Sequence, residues 1–483
     1  MDAVISDRVR GSALVLRLVE TVELHWSTES IRFSSGDRTV TLREPTPGLI
    51  AAVRALHSGA RLQDLQAQLH DSEGTVGLAL WMSVVRRLEA IGGLRYTLQW
   101  GDTILGSLVP GRPTDSITDE PPPGPVALSR FGYLHRQGTS LVLDSPLGVG
   151  PLTVVSSGAL LSLALLTQEL DCSQLGDTIG GALGGGAEEW LPAWCGFLRS
   201  AGLAVDIDGQ GHTAEDEHPA LRSWEFADLL LHSRSRSTRA DQPIGGTFPG
   251  RGVTEPLPAL RPSASEEFTA LPVPDLAALA RSEASLWSVM EARRSVRRHG
   301  QNPMDMAQLS EFLYRAARIV PDRETPAGAG SFEITRRVAP SGGSCHPLEV
   351  YVVVGNCRGL APGAYHYDPA GHRLARLAAA ERELAVVLDS CNGVMEDGGR
   401  PQILLCLTAR FRRASWKYQG VAYTNVLKEV GVLYEAMYLI ATAMGLAPCA
   451  LGGGDTAAIV AMLGLDPLEE GPVGEFLLGS EAR

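Results

Sequence analysis

The 483-residue chain sets 42 basic against 55 acidic residues, and its net charge of −13 argues against a phosphate-tracking nucleic-acid binder, which carries a basic face or stripe. Its 44% hydrophobic and 20% charged content is globular throughout and long enough for about two to four domains. Seven cysteines (Cys172, Cys195, Cys345, Cys357, Cys391, Cys406 and Cys449) lack any CxxC pair, which argues against a disulfide framework or a zinc site and fits reduced thiols.

The chain opens MDAVISDRVRGSALVLRLVE, with early acids and no apolar core leading to a small-residue cleavage site, and no run of about 18 apolar residues follows. A soluble, cytoplasmic protein with no membrane segment is expected. A weak internal repeat then emerges. RTVTLRE (38–44) reads as a strand, TPGLIAAVRAL (46–56) as a helix start, and SVVRRLEAIGGLRYTLQW (83–100) as a helix, a glycine stop and a strand. TSLVLDSP (139–146), SSGALLSLALL (156–166) and AWCGFLRSAGLAVDID (193–208) repeat that order. Two winged-helix-like αβ units, residues 1–108 and 126–210, are predicted, joined by the proline-dense spacer 110–125. Their helices lack a basic face, so DNA is not the expected ligand; an edge strand holding a peptide or a purely structural scaffold both remain open. Residues 211–275 read as a linker carrying one short helix in SWEFADLLLHSRSR (223–236), with HSRSR as a solvated turn.

From residue 276 to 483 helical and strand signals alternate. SLWSVMEARRSVR opens the segment and QLSEFLYRAARIV (308–320) is amphipathic at helical spacing. LEVYVVVG (348–355) and PQILLCLTARF (401–411) suit central strands, and YHYDPAGHRL (365–374) suits a hairpin. Val426, Val430, Leu433, Met437, Ile440 and Met444 mark a long buried helix that stops at Gly445, with Pro448 beyond it. The predicted fold is α+β, a mostly antiparallel sheet around that helix.

Four stretches here can carry chemistry. Of the 42 basic residues only Lys417 and Lys428 are lysine, so SWKYQG (415–420) retains an ammonium that can lose its proton, beside a phenol. ARRSVRR (292–298) alternates Arg293, Ser295 and Arg297, a grouping that suits a phosphate or a solvated basic turn. APSGGSCHP (339–347) and LGGGD (451–455) are loops whose glycines permit close approach by a planar ligand. No GxGxxG after a strand and no GxxxxGK[ST] occurs, so a nicotinamide Rossmann site and a P-loop lack support.

In order, RRSVR, PSGGSCHPLEVYVV, GAYHYDP, WKYQGVAY…EVGVLYEAMYLIATAMGL and LGGG resemble the SagB-type azoline dehydrogenases, a branch of the flavin-dependent nitroreductase-like fold. The resemblance spans about residues 223–483, and two winged-helix-like units precede this domain in some members. It implies an FMN at each subunit interface of a homodimer. Arg293, Ser295 and Arg297 would hold the phosphate, Pro340, Ser341 and Gly342 would approach the flavin from the partner, and Gly452 and Gly453 would lie beside the ring. Lys417 and Tyr418 would be the catalytic pair. Val421 and Thr424 stand where members commonly carry arginines, Glu435 replaces a common glutamine, and the tail PVGEFLLGSEAR lacks a basic phosphate contact.

The implied reaction converts a thiazoline or oxazoline in a ribosomal peptide to the azole, after a separate cyclodehydratase has made the ring, with flavin reoxidised by dioxygen. It removes a proton and a hydride, so the protein must supply a base. Unperturbed Tyr (about 10) and Lys (about 10.4) are poor bases at neutral pH. Burial disfavours the ammonium, and the ammonium favours a phenolate, so proximity moves either toward neutrality. Which one accepts the proton stays open. A nitro- or quinone reductase using a nicotinamide donor, and a catalytically idle flavoprotein scaffold, are the alternatives.

Overall fold

The computed structural model describes residues 11–114, 116–167, 172–183, 186–236, 239–320 and 332–482. The opening residues 1–10, part of the expectation about the N-terminus, lie outside them. The chain divides into two units, 1–244 and 245–483.

In the first unit, β1 (Ser12–Leu18) is followed by a meander of β2 (Glu23–Trp26), β3 (Ser30–Ser35) and β4 (Arg38–Arg43). Helix α1 (Pro47–Ser58) starts where Thr46 accepts the Leu49 N–H, with Pro47 in the first turn where no donor is needed. After β5 (Ala60–Arg61) comes α2 (Leu62–Ala90), broken at Gly74. Gly92, at φ +65°, then reverses the chain into β6 (Leu94–Trp100) and β7 (Thr103–Leu108). The second copy supplies β8 (Val126–Leu128), β9 (Tyr133–Gln137), β10 (Ser140–Asp144) and β11 (Leu152–Val154). It continues with α3 (Ser157–Leu165), α4 (Cys172–Leu183), α5 (Ala187–Ser200) and β12 (Ala204–Asp206). The predicted elements of both copies are present, but the copies are not separate. β7 pairs with β11, so one seven-stranded sheet runs β5-β1-β6-β7-β11-β10-β9 through both. At the seam, a Cβ on Gly106 would meet the buried Trp194 ring at 2.8 Å; glycine lets sheet and helix close there.

Two one-turn helices and α6 (Phe226–Arg236) end this unit. HSRSR is helical rather than a turn: Ser235 Oγ donates to His232 O, and Arg234 reaches Pro243 O. The unit boundary at 244/245 also cuts the expected 211–275 linker, whose later part belongs to the second unit.

The second unit contains β13 (Phe268–Ala270), α7 (Leu276–Ser282), α8 (Leu286–Ala292) and α9 (Met306–Ala317). β14 (Leu348–Val354), β15 (Gly363–Asp368), β16 (Arg373–Arg376) and α10 (Glu381–Asp389) follow. The chain closes with β17 (Ile403–Arg410), α11 (Phe411–Ser415), α12 (Ala422–Ala443), β18 (Leu446–Leu451), α13 (Thr456–Leu463) and β19 (Glu470–Ser480). All neighbours in the sheet β13-β16-β15-β14-β17-β19-β18 are antiparallel. Every residue of β14 and β17 is buried, which explains runs as apolar as LEVYVVV and ILLCLTAR. Val350, Val352 and Val354 face the core built on α12, while Tyr351 and Val353 face the one under α10 and α13. α12 is the predicted long helix, buried through Val426, Val430, Leu433, Met437 and Ala441 and closed by Gly445 at φ +65°. Pro448 does more than prevent helix resumption: it lies inside β18, where its carbonyl accepts Val296 N–H.

Candidate functional site

α12 organises the predicted residues. Near its N-terminal half, Glu429 Oε1 accepts the Gly342 N–H at 2.9 Å. Nine residues on, Tyr438 Oη hydrogen-bonds Ser295 Oγ at 2.8 Å and accepts the Ala450 N–H at 2.7 Å. Nine residues are roughly 14 Å of helix and half a turn, so the two clusters lie on opposite flanks of α12.

At the Tyr438 end, the Arg293 guanidinium stands 5.3 Å from the Tyr438 ring centre, and Val296 N donates to Pro448 O at 2.8 Å. The 293–297 segment is thereby fixed to β18, which leads directly to Gly452 and Gly453. Arg293 and Arg297 are exposed and form no ion pair among the described residues, whereas Arg294 between them is paired with Glu481. Two unpaired guanidiniums flanking a hydroxyl suit a phosphate. Side chains at Gly452 or Gly453 would meet nothing within 4 Å, so that loop leaves open space beside β18. These residues fit a flavin phosphate and ring.

At the Glu429 end lies the loop of Pro340, Ser341 and Gly342. Ser341 Oγ accepts the His346 N–H at 2.8 Å, and a one-turn 3-10 helix spans Gly342–Ser344. Gly343 sits at φ +57°, and its carbonyl accepts a hydrogen bond from Lys417 Nζ at 3.0 Å. A Cβ there would collide with both Lys417 Nζ and Tyr418 Oη. The two polar heads therefore converge on one point of this loop, and only glycine leaves room for both.

The pair rests on an aromatic floor. Trp416 stacks on Phe332 with centroids 5.3 Å apart, and Phe248 meets Trp416 edge-on. Lys417 Nζ is 5.6 Å from the Phe332 ring centre and 6.0 Å from that of Phe248. Beneath them Arg413, wholly buried, donates to the carbonyls of Cys345, Glu333 and Leu257 at 2.7–3.0 Å. Residues 245–250, expected as linker, pair with the SWKYQG stretch: Gly245 and Gln419 exchange backbone bonds, Phe248 N donates to Lys417 O, and Gly250 N to Trp416 O. Phe248 does so at φ +54°, unusual for an aromatic residue. Phe248, Phe332, Arg413 and Glu429 escape sequence reasoning, because only the fold brings them to SWKYQG.

The electrostatics revise one expectation. Burial pushes the Tyr418 phenol above its ordinary value, and the neighbouring Cys345 and Glu429 push it further, so no phenolate is favoured. Burial likewise raises Cys345 to about 11, which keeps that thiol protonated, and raises the Glu429 carboxyl against the opposing bonds from Gly342 and Ser341.

No helix among the described residues is long and apolar enough to cross a membrane. Residues 126–241 match the family Cyanobactin oxidase ThcOx, a span that runs past the predicted second repeat into α6. A protein named as a nitroreductase in Methanocaldococcus jannaschii is 28% identical over 170 residues, covering 35% of this chain and 79% of its own. The trifolitoxin-processing protein TfxB of Rhizobium leguminosarum bv. trifolii is 28% identical over 149 residues, 30% of this chain and 40% of TfxB. The microcin B17-processing protein McbC of Escherichia coli is 28% identical over 142 residues, 29% of this chain and 52% of McbC. The chain thus spans about half or less of those two processing proteins. Residues 290–480, most of the second unit, match the nitroreductase family.

Proposed function

We propose that the chain is an FMN-dependent dehydrogenase that aromatises azoline rings in a ribosomally made peptide, and the convergence of Lys417 and Tyr418 on Gly343 carries that reading. The likeness to two peptide-processing proteins supports the substrate class. Arg293, Ser295 and Arg297 would hold the flavin phosphate, Gly452 and Gly453 would lie beside the ring, and Pro340–Gly342 would reach the partner's flavin. Their separation on opposite flanks of α12 supports a site shared by two subunits. So do the exposed Leu286, Trp287 and Met290 of α8, an apolar face suited to a second copy of this chain.

A flavin held by those residues would supply a hydride acceptor that dioxygen can regenerate. This chain's residues handle the proton. Tyr418, whose environment resists ionisation, keeps its proton and donates a hydrogen bond toward the substrate ring. Lys417, which gives one N–H to Gly343 O, is then the group of the pair that takes the ring proton. Trp416, Phe332 and Phe248 keep water from one side of the pair. The first unit recruits the precursor peptide or the cyclodehydratase and binds no DNA.

Anaerobic mixing of the yellow purified protein with an azoline peptide tests this directly. Bleaching of the flavin band, with loss of two hydrogens from the peptide by mass, is the expected result. Bleaching by a nicotinamide alone, with no azole formed, would replace the reading by that of a nitro- or quinone reductase. Failure of both donors to bleach the flavin would leave a scaffold.

A further inference from the structure

An arginine outside the proposed catalytic and cofactor-binding residues has its binding edge open. Arg337 spends Nη1 on Leu348 O at 3.0 Å, while its Nε and Nη2 are shielded from water and have no hydrogen-bond partner among the described residues. The hydroxyl of Thr335, two residues away, is shielded and unpartnered as well. Leaving buried polar groups unmade costs about 1–3 kcal/mol each, more for a charged one, so each such group calls for an explanation. Both line a cleft of about 540 Å³ together with Arg318, Arg336, Ser341 and Ser344, and no carboxylate lines it among the described residues.

The two nearby acids are otherwise engaged. Glu349 takes His366 at 3.1 Å and Arg410 at 3.3 Å. Glu429, which lines the smaller cavity beneath, accepts Gly342 N–H at 2.9 Å and is bonded to Ser341. The same molecule shows what an open Nε/Nη2 edge takes. Arg199 grips both oxygens of Asp206 through Nε and Nη2 at 2.6 and 2.8 Å, and Arg400 grips Asp389 likewise at 2.6 and 2.7 Å. That edge matches a carboxylate in shape as well as charge.

We propose that Arg337, with Thr335 and Arg336, forms a subsite for a carboxylate carried by the peptide substrate. Ser341 and Ser344 of the cleft belong to the loop whose Gly343 carbonyl holds Lys417, so a peptide anchored there lies one loop away from the proton-accepting pair. The carboxylate chemistry stands on the geometry alone; only its source rests on the azoline-peptide reading.

Calorimetric titration of the full-length, flavin-loaded protein with propionate, propionamide and inorganic phosphate tests the site without turnover. Propionate should bind at least about tenfold more tightly than its isosteric amide. Arg337→Lys, which keeps the charge but not the fork, should remove that preference, and Thr335→Val should reduce it severalfold. Should Arg337→Lys fail to fold, Thr335→Val and Arg336→Gln report the same loss. Equal affinity for acid and amide, or a preference that survives in these variants, overturns the proposal. Phosphate binding without propionate binding also overturns it, by assigning the cleft to a phosphate-bearing ligand such as the cofactor. A carboxylate preference in a protein that forms no azole would sink only the azoline reading.

Discussion

Both units are built on a seven-stranded sheet, yet they treat their buried arginines differently. In the first unit Arg239 is saturated: Nη1 and Nη2 hold Asp144 at 2.9 Å, while Nε and Nη2 hold Asp241 at 3.0 and 2.8 Å. Glu89 in that unit is closed the same way by Tyr96 and Thr114. In the second unit Arg413 is saturated, but Arg337 has an open edge, and even on the surface Arg293 and Arg297 face no acid among the described residues. Saturated polar networks fix a fold; polar groups left open beside a glycine loop are where a ligand can supply the missing partner.

The largest effect should come from breaking the closed side of that contrast. Arg239→Ala strands Asp144 and Asp241 in a buried site, and removing one partner of such a network costs about 3–5 kcal/mol. Chemical denaturation should register that loss as a lowered midpoint for the first unit. A loss below about 1 kcal/mol would mean that saturation here is not structural.

On the open side, Lys417→Ala and Tyr418→Phe should each lower azole formation by about 10²-fold or more while flavin content stays unchanged. Lys417→Arg sharpens the assignment. Arginine preserves charge and reach but cannot accept a proton, so it should be nearly as damaged as alanine if the amine is the base. Substantial rescue by arginine would instead put the proton on Tyr418. Next in size, Arg293→Ala should weaken flavin binding by about 1.5–3 kcal/mol, the scale of one charge-assisted contact, while the neighbouring Arg294→Ala, which loses only an exposed ion pair, should not. Flavin retention by gel filtration separates the two.

Sequence alone reached the elements better than their joins. The period of α12, the glycine stops at Gly92 and Gly202, and the runs of β14 and β17 are local signals, and each lies where the pattern places it. The β7–β11 pairing is invisible locally, because TILGSL has no feature that names a partner some 45 residues away. The linker reading of 245–250 failed for the same reason: Gly, Thr and Pro read as turn, while their hydrogen bonds go to residues 416–419. Arginine type carries little information in a chain with 40 of them, so nothing in TRRVAP distinguishes the half-buried Arg337 from the surface arginines. Lysine, used twice, does carry information, and that rarity led to Lys417.

The smallest effect concerns a buried imidazole that the fold keeps from taking up a proton. His299 Nδ1 accepts the Gln402 N–H at 3.1 Å, and Nε2 is shielded with no partner. Burial holds this imidazole neutral and lowers its pKa to about 4, against about 6.5 in an unfolded chain. Between those values the unfolded chain binds a proton that the folded chain refuses, so stability falls as pH drops through 6.5 and the loss is complete near 4. At pH 5.5 the share lost through this one group is about 1 kcal/mol. His299→Gln keeps an acceptor for Gln402 but cannot titrate. Its denaturation midpoint, lower than wild type at pH 7.5, should therefore fall less steeply between pH 7.5 and 5.5. Parallel slopes for the two proteins would show that His299 takes up its proton at the same pH in the folded and the unfolded chain.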